Sequence, residues 1–199
     1  MTTSGSANYL ANAEALQKNT SIKHVRIDAL FRFELLFSRL PWTKSLALLQ
    51  ALYRLPNLES FEMDDQHECR LSEFIDVLDN DKLQRLKIGR LNVEGSDRIS
   101  ILADKFRGHS ALKEVSFDMD FEPSKQTEHL LEQTYIVDPL FDAFATIPNL
   151  DQLSLTCNHL YTTSIAQPLQ NLLRHPKLLI LSLRGLLPNN RLLCQTVVE

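Results

Sequence analysis

Glycine is scarce in this chain, with five in 199 residues. That leaves little material for phosphate-cradling loops. No Walker-type loop, dinucleotide fingerprint or nucleophile elbow is spelled anywhere. Cysteine is scarcer still: Cys69, Cys157 and Cys194 are odd in number and far apart. They suit reduced thiols that pack rather than a disulfide framework. There is no excess of basic charge, with 21 Lys and Arg against 25 Asp and Glu, which argues against a nucleic-acid partner. No apolar run approaches the roughly 20 residues of a membrane span. The opening "MTTSGSANYLANAEAL" places no basic residue before an apolar core, so neither a secretory signal nor a membrane partner is expected. The expectation is a soluble cytoplasmic protein, with the nucleus left open. Asn19-Thr20-Ser21 fits the glycosylation pattern, but without a secretory signal it reads as chance.

What the chain does have is a hydrophobic content of 44%, enough for a sizeable core, arranged with a recurrent spacing. An apolar residue, two free positions, an apolar residue, one free position and an apolar residue occur at Ile22/Val25/Ile27, Leu58/Phe61/Met63 and Leu83/Leu86/Ile88. They recur at Leu112/Val115/Phe117, Leu150/Leu153/Leu155 and Leu178/Leu181/Leu183, and successive copies are 36, 25, 29, 38 and 28 residues apart. Six positions before each triplet stands another apolar residue: Leu16, Leu52, Val77, Phe106, Phe144 and Leu172. Around these the period is helical, as in Leu71/Phe74/Ile75/Leu78, Ile99/Leu102/Ala103/Phe106 and Leu140/Ala143/Phe144/Ile147. Breakers separate helix from triplet at Pro56-Asn57, Gly108, Pro148-Asn149 and Pro176. Asp138 before Pro139 reads as a helix start, and Pro168 is tolerable only if its helix begins near Ser164.

Each unit therefore reads helix, turn, strand. So short a unit cannot bury its own apolar face, and copies must stack into a parallel sheet lined by helices. The stretch "LDQLSLTCNHL", Leu150 to Leu160, resembles the leucine-rich repeat family in full, with Asn158 at the family's Asn position. The other units carry Leu30, Gln66, Leu91, Asp120 and Leu186 there. Unit lengths of 28 and 29 residues with a proper helix resemble the ribonuclease-inhibitor-like subclass.

The resemblance implies an α/β solenoid, a horseshoe of about six repeats with a concave parallel β-sheet and convex helices, as one domain over residues 1–199. Strands are expected near 22–28, 58–64, 83–89, 112–118, 150–156 and 178–184, with insertions near 31–39 and 122–136. The family's usual partner-binding face is the concave sheet. The resemblance thus implies a non-enzymatic protein-interaction module with no cofactor and a protein partner of unknown identity. The alternative is the repeat portion of a larger regulatory protein, a ubiquitin-ligase adaptor or an intracellular receptor.

Because side chains alternate across a strand, the residues between and after the triplets face solvent. They are His24, Arg26 and Asp28; Ser60, Glu62 and Asp64; Arg85, Lys87 and Gly89; Glu114, Ser116 and Asp118; Gln152, Ser154 and Thr156; Ile180, Ser182 and Arg184. All but Gly89 are candidate partner contacts. Two readings stay open for the charges of strands two to four: a partner meets them, or acids and bases on neighbouring strands neutralise one another.

No constellation supports catalysis. His67-Glu68-Cys69 is the tightest metal-competent cluster, and it lacks a second ligand pair for zinc. Asp118-Met119-Asp120 lacks the rest of a calcium loop. His24, His109, His129, His159 and His175 are scattered over different units, and Lys82, Arg85, Lys87 and Arg90 make a small basic patch. The last strand, "LLILSLRGLL", is the most apolar, and "PNNRLLCQTVVE" after it suffices for about one helix. Either that helix shields the sheet edge, or more repeats follow, or the edge self-associates.

Overall fold

The structure, a computed structural model, describes residues 12–27, 49–93, 96–121, 138–160 and 166–186. The expected insertions near 31–39 and 122–136, Asp28, and residues 187–199 lie outside them. Six parallel strands form one sheet in chain order: β1 (His24–Ile27), β2 (Ser60–Arg70), β3 (Arg85–Val93), β4 (Glu114–Phe121), β5 (Gln152–Leu160) and β6 (Ile180–Leu186). Helical connections run between neighbouring strands wherever the connection is described, as parallel pairing requires.

The register explains the triplets. Their second members align as the column Val25, Phe61, Leu86, Val115, Leu153, Leu181, and their third members as Ile27, Met63, Ile88, Phe117, Leu155, Leu183. Both columns point into the core, and those of β2 to β5 are buried. The first members precede the strands and anchor the turns; Leu58, Leu83, Leu112 and Leu150 are fully buried.

Each strand starts two residues after its triplet begins, and β2 to β6 extend beyond the expected ends. Register shifts mark the extensions of β2, β3 and β5. Leu91, at a family Asn position, is a fully buried strand residue paired with Cys69 and Met119, and β5 likewise runs on through Asn158 to Leu160.

Helices Ser96–Phe106 and Asp138–Ala145 bury the anticipated faces, Ile99/Leu102/Ala103/Phe106 and Leu140/Ala143/Phe144, with Phe141 added. Helix Ala166–Leu173 carries Pro168 as its third residue, within the first turn whose N–H groups have no helical acceptor. The shortest unit departs from the expected helix. Leu71–Phe74 is α-helical and Ile75–Asp79 continues as a 3-10 helix. Leu71, Phe74, Val77 and Leu78 are buried, and Ile75 of the anticipated face is only partly buried. Aromatic rings tie these layers together: Phe106 lies 4.9 Å from Phe144 and 5.7 Å from Phe117, which lies 6.2 Å from Phe74.

Two polar devices join adjacent units. At the strand entrances, the carbonyls of Lys23, Glu59, Gln84, Lys113 and Asp151 each accept two consecutive N–H groups from the next strand, at 2.7–3.1 Å. In the turns, Asn80, His109 and His175, each three residues before a leading apolar position, reach back one unit. Asn80 Nδ2 donates to the Leu55 carbonyl at 2.7 Å. His109 Nε2 meets the Asn80 carbonyl at 3.1 Å, and His175 Nε2 meets that of Ile147 at 2.7 Å.

The same residues shape their own turns. Asn19 Oδ1, Asn80 Oδ1 and His175 Nδ1 accept the N–H two residues on, at 2.8, 3.0 and 3.3 Å. With Nδ1 accepting, His175 Nε2 is the nitrogen that donates to the Ile147 carbonyl. His109 and His175, which look scattered in the sequence, hold equivalent buried positions and one structural role. Beside His109, Gly108 has φ +70, in the left-handed region that glycine adopts freely.

Candidate partner-binding face

Opposite the core, the outward residues form two complete rows. One is His24, Ser60, Arg85, Glu114, Gln152 and Ile180; the other is Arg26, Glu62, Lys87, Ser116, Ser154 and Ser182. Asp118, Thr156 and Arg184 align in a third, while Asp64 lies on β2 beyond the regular register. Strand alternation alone accounts for these rows. Ser60 departs from the expectation of an exposed contact. It keeps its place in the row but is 6% exposed, because a short side chain between His24 and Arg85 is recessed.

The charges of β2 to β4 pair with one another. Arg85 Nε donates to Glu114 Oε2 at 2.6 Å, Lys87 Nζ reaches Glu114 Oε1 at 2.6 Å, and Arg85 also lies 3.8 Å from Glu62. Burial pushes the Glu114 carboxyl up, but hydrogen bonds from Lys87 and Arg85, with their positive charge, outweigh it and hold the group below the usual carboxylate range. The hydrogen bond to Glu114 raises Arg85 in turn. Two members of the basic patch are thus engaged by carboxylates. Lys82 binds Asn57 Oδ1 at 2.5 Å, and Arg90 is exposed.

Uncharged side chains prevail on the other half of the face. Ser116, Ser154 and Ser182 stand in line, Gln152 and Thr156 flank them, and Ile180 is 52% exposed.

A row next to these escaped the sequence reading: Lys23, Glu59, Gln84, Lys113, Asp151 and Leu179, each just before its strand. They are the first free positions of the triplets, and their common role in carbonyl sharing was the missing signal. Lys23 pairs with Glu59 at 2.8 Å, and the Glu59 carboxyl is lowered chiefly by that hydrogen bond. Lys113 donates to Gln84 Oε1 at 3.0 Å. Members of both rows, from His24 to Gln152, line an open cleft of about 290 Å³ along the strand entrances.

Among the described residues no group of three or more His, Cys, Asp or Glu is placed to hold a metal ion, and no helix is long and apolar enough to cross a membrane. Cys69 is buried opposite Leu91.

No protein-family model matches the chain, and no curated protein matches it in sequence. Among solved structures it is similar to the tropomodulin C-terminal domain of Caenorhabditis elegans, with a TM-score of 0.52 and 15% identity. The match covers 84% of this chain and 93% of that one. That domain has a leucine-rich-repeat-type fold, and the parallel sheet described above is of the same type. At this identity the likeness shows the fold alone.

Proposed function

We propose that this chain is a non-enzymatic protein-interaction module. It is one leucine-rich repeat domain of six units whose concave sheet receives a partner protein. The observation carrying this reading is the unbroken alignment of outward side chains over six strands, which gives a continuous polar surface supported by a buried core. Open, shallow relief of this kind suits a macromolecular surface better than a small substrate, which needs enclosure and convergent polar groups. Unit spacings of 29 residues from Arg85 to Glu114 and 28 from Gln152 to Ile180 favour the ribonuclease-inhibitor-like subclass. A cytoplasmic site of action, with the nucleus left open, is part of the same proposal.

The test is affinity capture from a source-cell lysate with the wild-type chain and with Arg85→Glu/Ser154→Arg/Arg184→Glu, both shown folded by circular dichroism. Partners lost only with the variant support a concave interface. Partners kept by both would move the interface to the helices or loops.

A further inference from the structure

Resting on the concave reading, we infer that the partner contributes an extended segment lying along β6. It presents a basic side chain at the strand entrance, an aliphatic or aromatic one beside it, and an acidic one towards the strand exit.

The two halves of the face differ in what they leave for a partner. On β2 to β4 the carboxylate of Glu114 is shared by Arg85 and Lys87 and its side chain is only 16% exposed. Covering that cluster would strip water from charges already satisfied. On β5 and β6 the two complete rows, Gln152 with Ile180 and Ser154 with Ser182, are uncharged and cost less to dehydrate.

That half also holds the face's exposed apolar surface. Leu179 is 83% and Ile180 52% exposed. They continue the two cleft rows past Asp151 and Gln152, because Ile180 aligns with Gln152 and Leu179 N–H donates to the Asp151 carbonyl at 2.8 Å. Apolar anchors of this kind carry most of the energy of small interfaces.

Charge gives the segment its direction. Lys113 turns its ammonium to Gln84 rather than Asp151. Among the described residues neither the Asp151 carboxylate nor the Arg184 guanidinium has an ion-pair partner within 4.0 Å. Asp151 is level with Leu179, and Arg184 lies five residues further along β6. At ~3.3 Å per residue the two charges are roughly 16 Å apart along the strand, so a basic and an acidic residue about five positions apart would meet both. Between them the short side chains of Ser154 and Ser182, paired across β5 and β6, let a chain approach the sheet closely.

The experiment is selection of random extended peptides on the full chain, repeated with Asp151→Lys/Arg184→Glu and with Leu179→Asp, each checked by circular dichroism. Wild type is expected to enrich peptides with a basic residue, an apolar residue and an acidic residue in that spacing. The charge-swapped protein should enrich the reverse order, and Leu179→Asp should lower enrichment about tenfold or more.

Peptides indifferent to the charge swap would overturn the inference. So would peptides lost with Arg85→Glu but retained with Leu179→Asp, a result that leaves the concave reading intact. Self-association of the wild type, abolished by Leu179→Asp in light scattering, would make a second copy the occupant and also overturn it. Selection of no peptides at all would overturn it as well, while lysate capture decides the broader reading separately.

Discussion

His175 donates from Nε2 to the Ile147 carbonyl at 2.7 Å while its Nδ1 accepts the Lys177 N–H, so one buried ring closes its own turn and fastens it to the unit before. Replacement by leucine keeps the bulk and removes both bonds. We expect His175→Leu to lower stability by about 1–2 kcal/mol, read as a fall in urea midpoint at unchanged m-value. No change in midpoint would deny the ring this fastening role.

His109 makes the same backward bond, but burial lowers its affinity for a proton below that of an exposed histidine. The unfolded chain therefore takes up a proton first as pH falls. Stability should be level above about pH 6.5 and decline below it as the unfolded state is protonated. His109→Asn, which borrows the donor used at Asn80, should flatten that part of the profile. Identical slopes between pH 7 and 5 for both proteins would refute this assignment.

The Glu114 carboxyl is held below the ordinary carboxylate range by Lys87 and Arg85. The fold favours its charged form, so its contribution is complete above the unfolded carboxyl value of about 4.3 and is lost as pH falls through the lower folded value. A double-mutant cycle of Arg85→Ala and Glu114→Gln should give a coupling of roughly 0.5–1 kcal/mol, small because Arg85 is half exposed, and smaller in high salt. A coupling unmoved by salt would show that packing, not charge, joins them.

Phe106 contacts the rings of both Phe117 and Phe144. Phe106→Ala should remove about 3–5 kcal/mol, while Phe106→Leu should be milder. Chemical denaturation distinguishes them, and equal losses would argue against ring packing as the cause.

An added Cβ at Gly108 would meet no atom within 4 Å, but its φ of +70 is unfavourable for any side chain. Gly108→Ala should therefore cost about 1–2 kcal/mol through the backbone alone. Gly108→Asn should cost less, since asparagine tolerates this region better. A larger loss for asparagine in thermal unfolding would point to side-chain crowding instead.

The architecture was legible because strand pairing and helix packing leave direct marks on apolar spacing. Phe61, Leu86, Val115, Leu153 and their neighbours could be assigned inward from periodicity, and alternation then placed Arg85, Ser154 and Ser182 outward. Polar fastening left no such mark. Asn80 differs in type from His109 and His175, and the equivalence of all three rests on reaching a carbonyl one unit back. Ile75 was placed on the buried face but is only partly buried, because the 3-10 turn from Ile75 to Asp79 departs from the α-helical period that placed it there. The entrance row ending in Asp151 and Leu179 was overlooked because strand alternation does not govern residues that precede the strand.

The carbonyls of Lys23, Glu59, Gln84, Lys113 and Asp151 each bind only the strand that follows. Protection of this kind passes from neighbour to neighbour and not across the molecule. Among the described strands, amides of β3 and β4 should exchange with solvent most slowly, and those of β1 and β6 fastest. A partner laid on β6 would then slow exchange there first, and the gain would fade strand by strand towards β1.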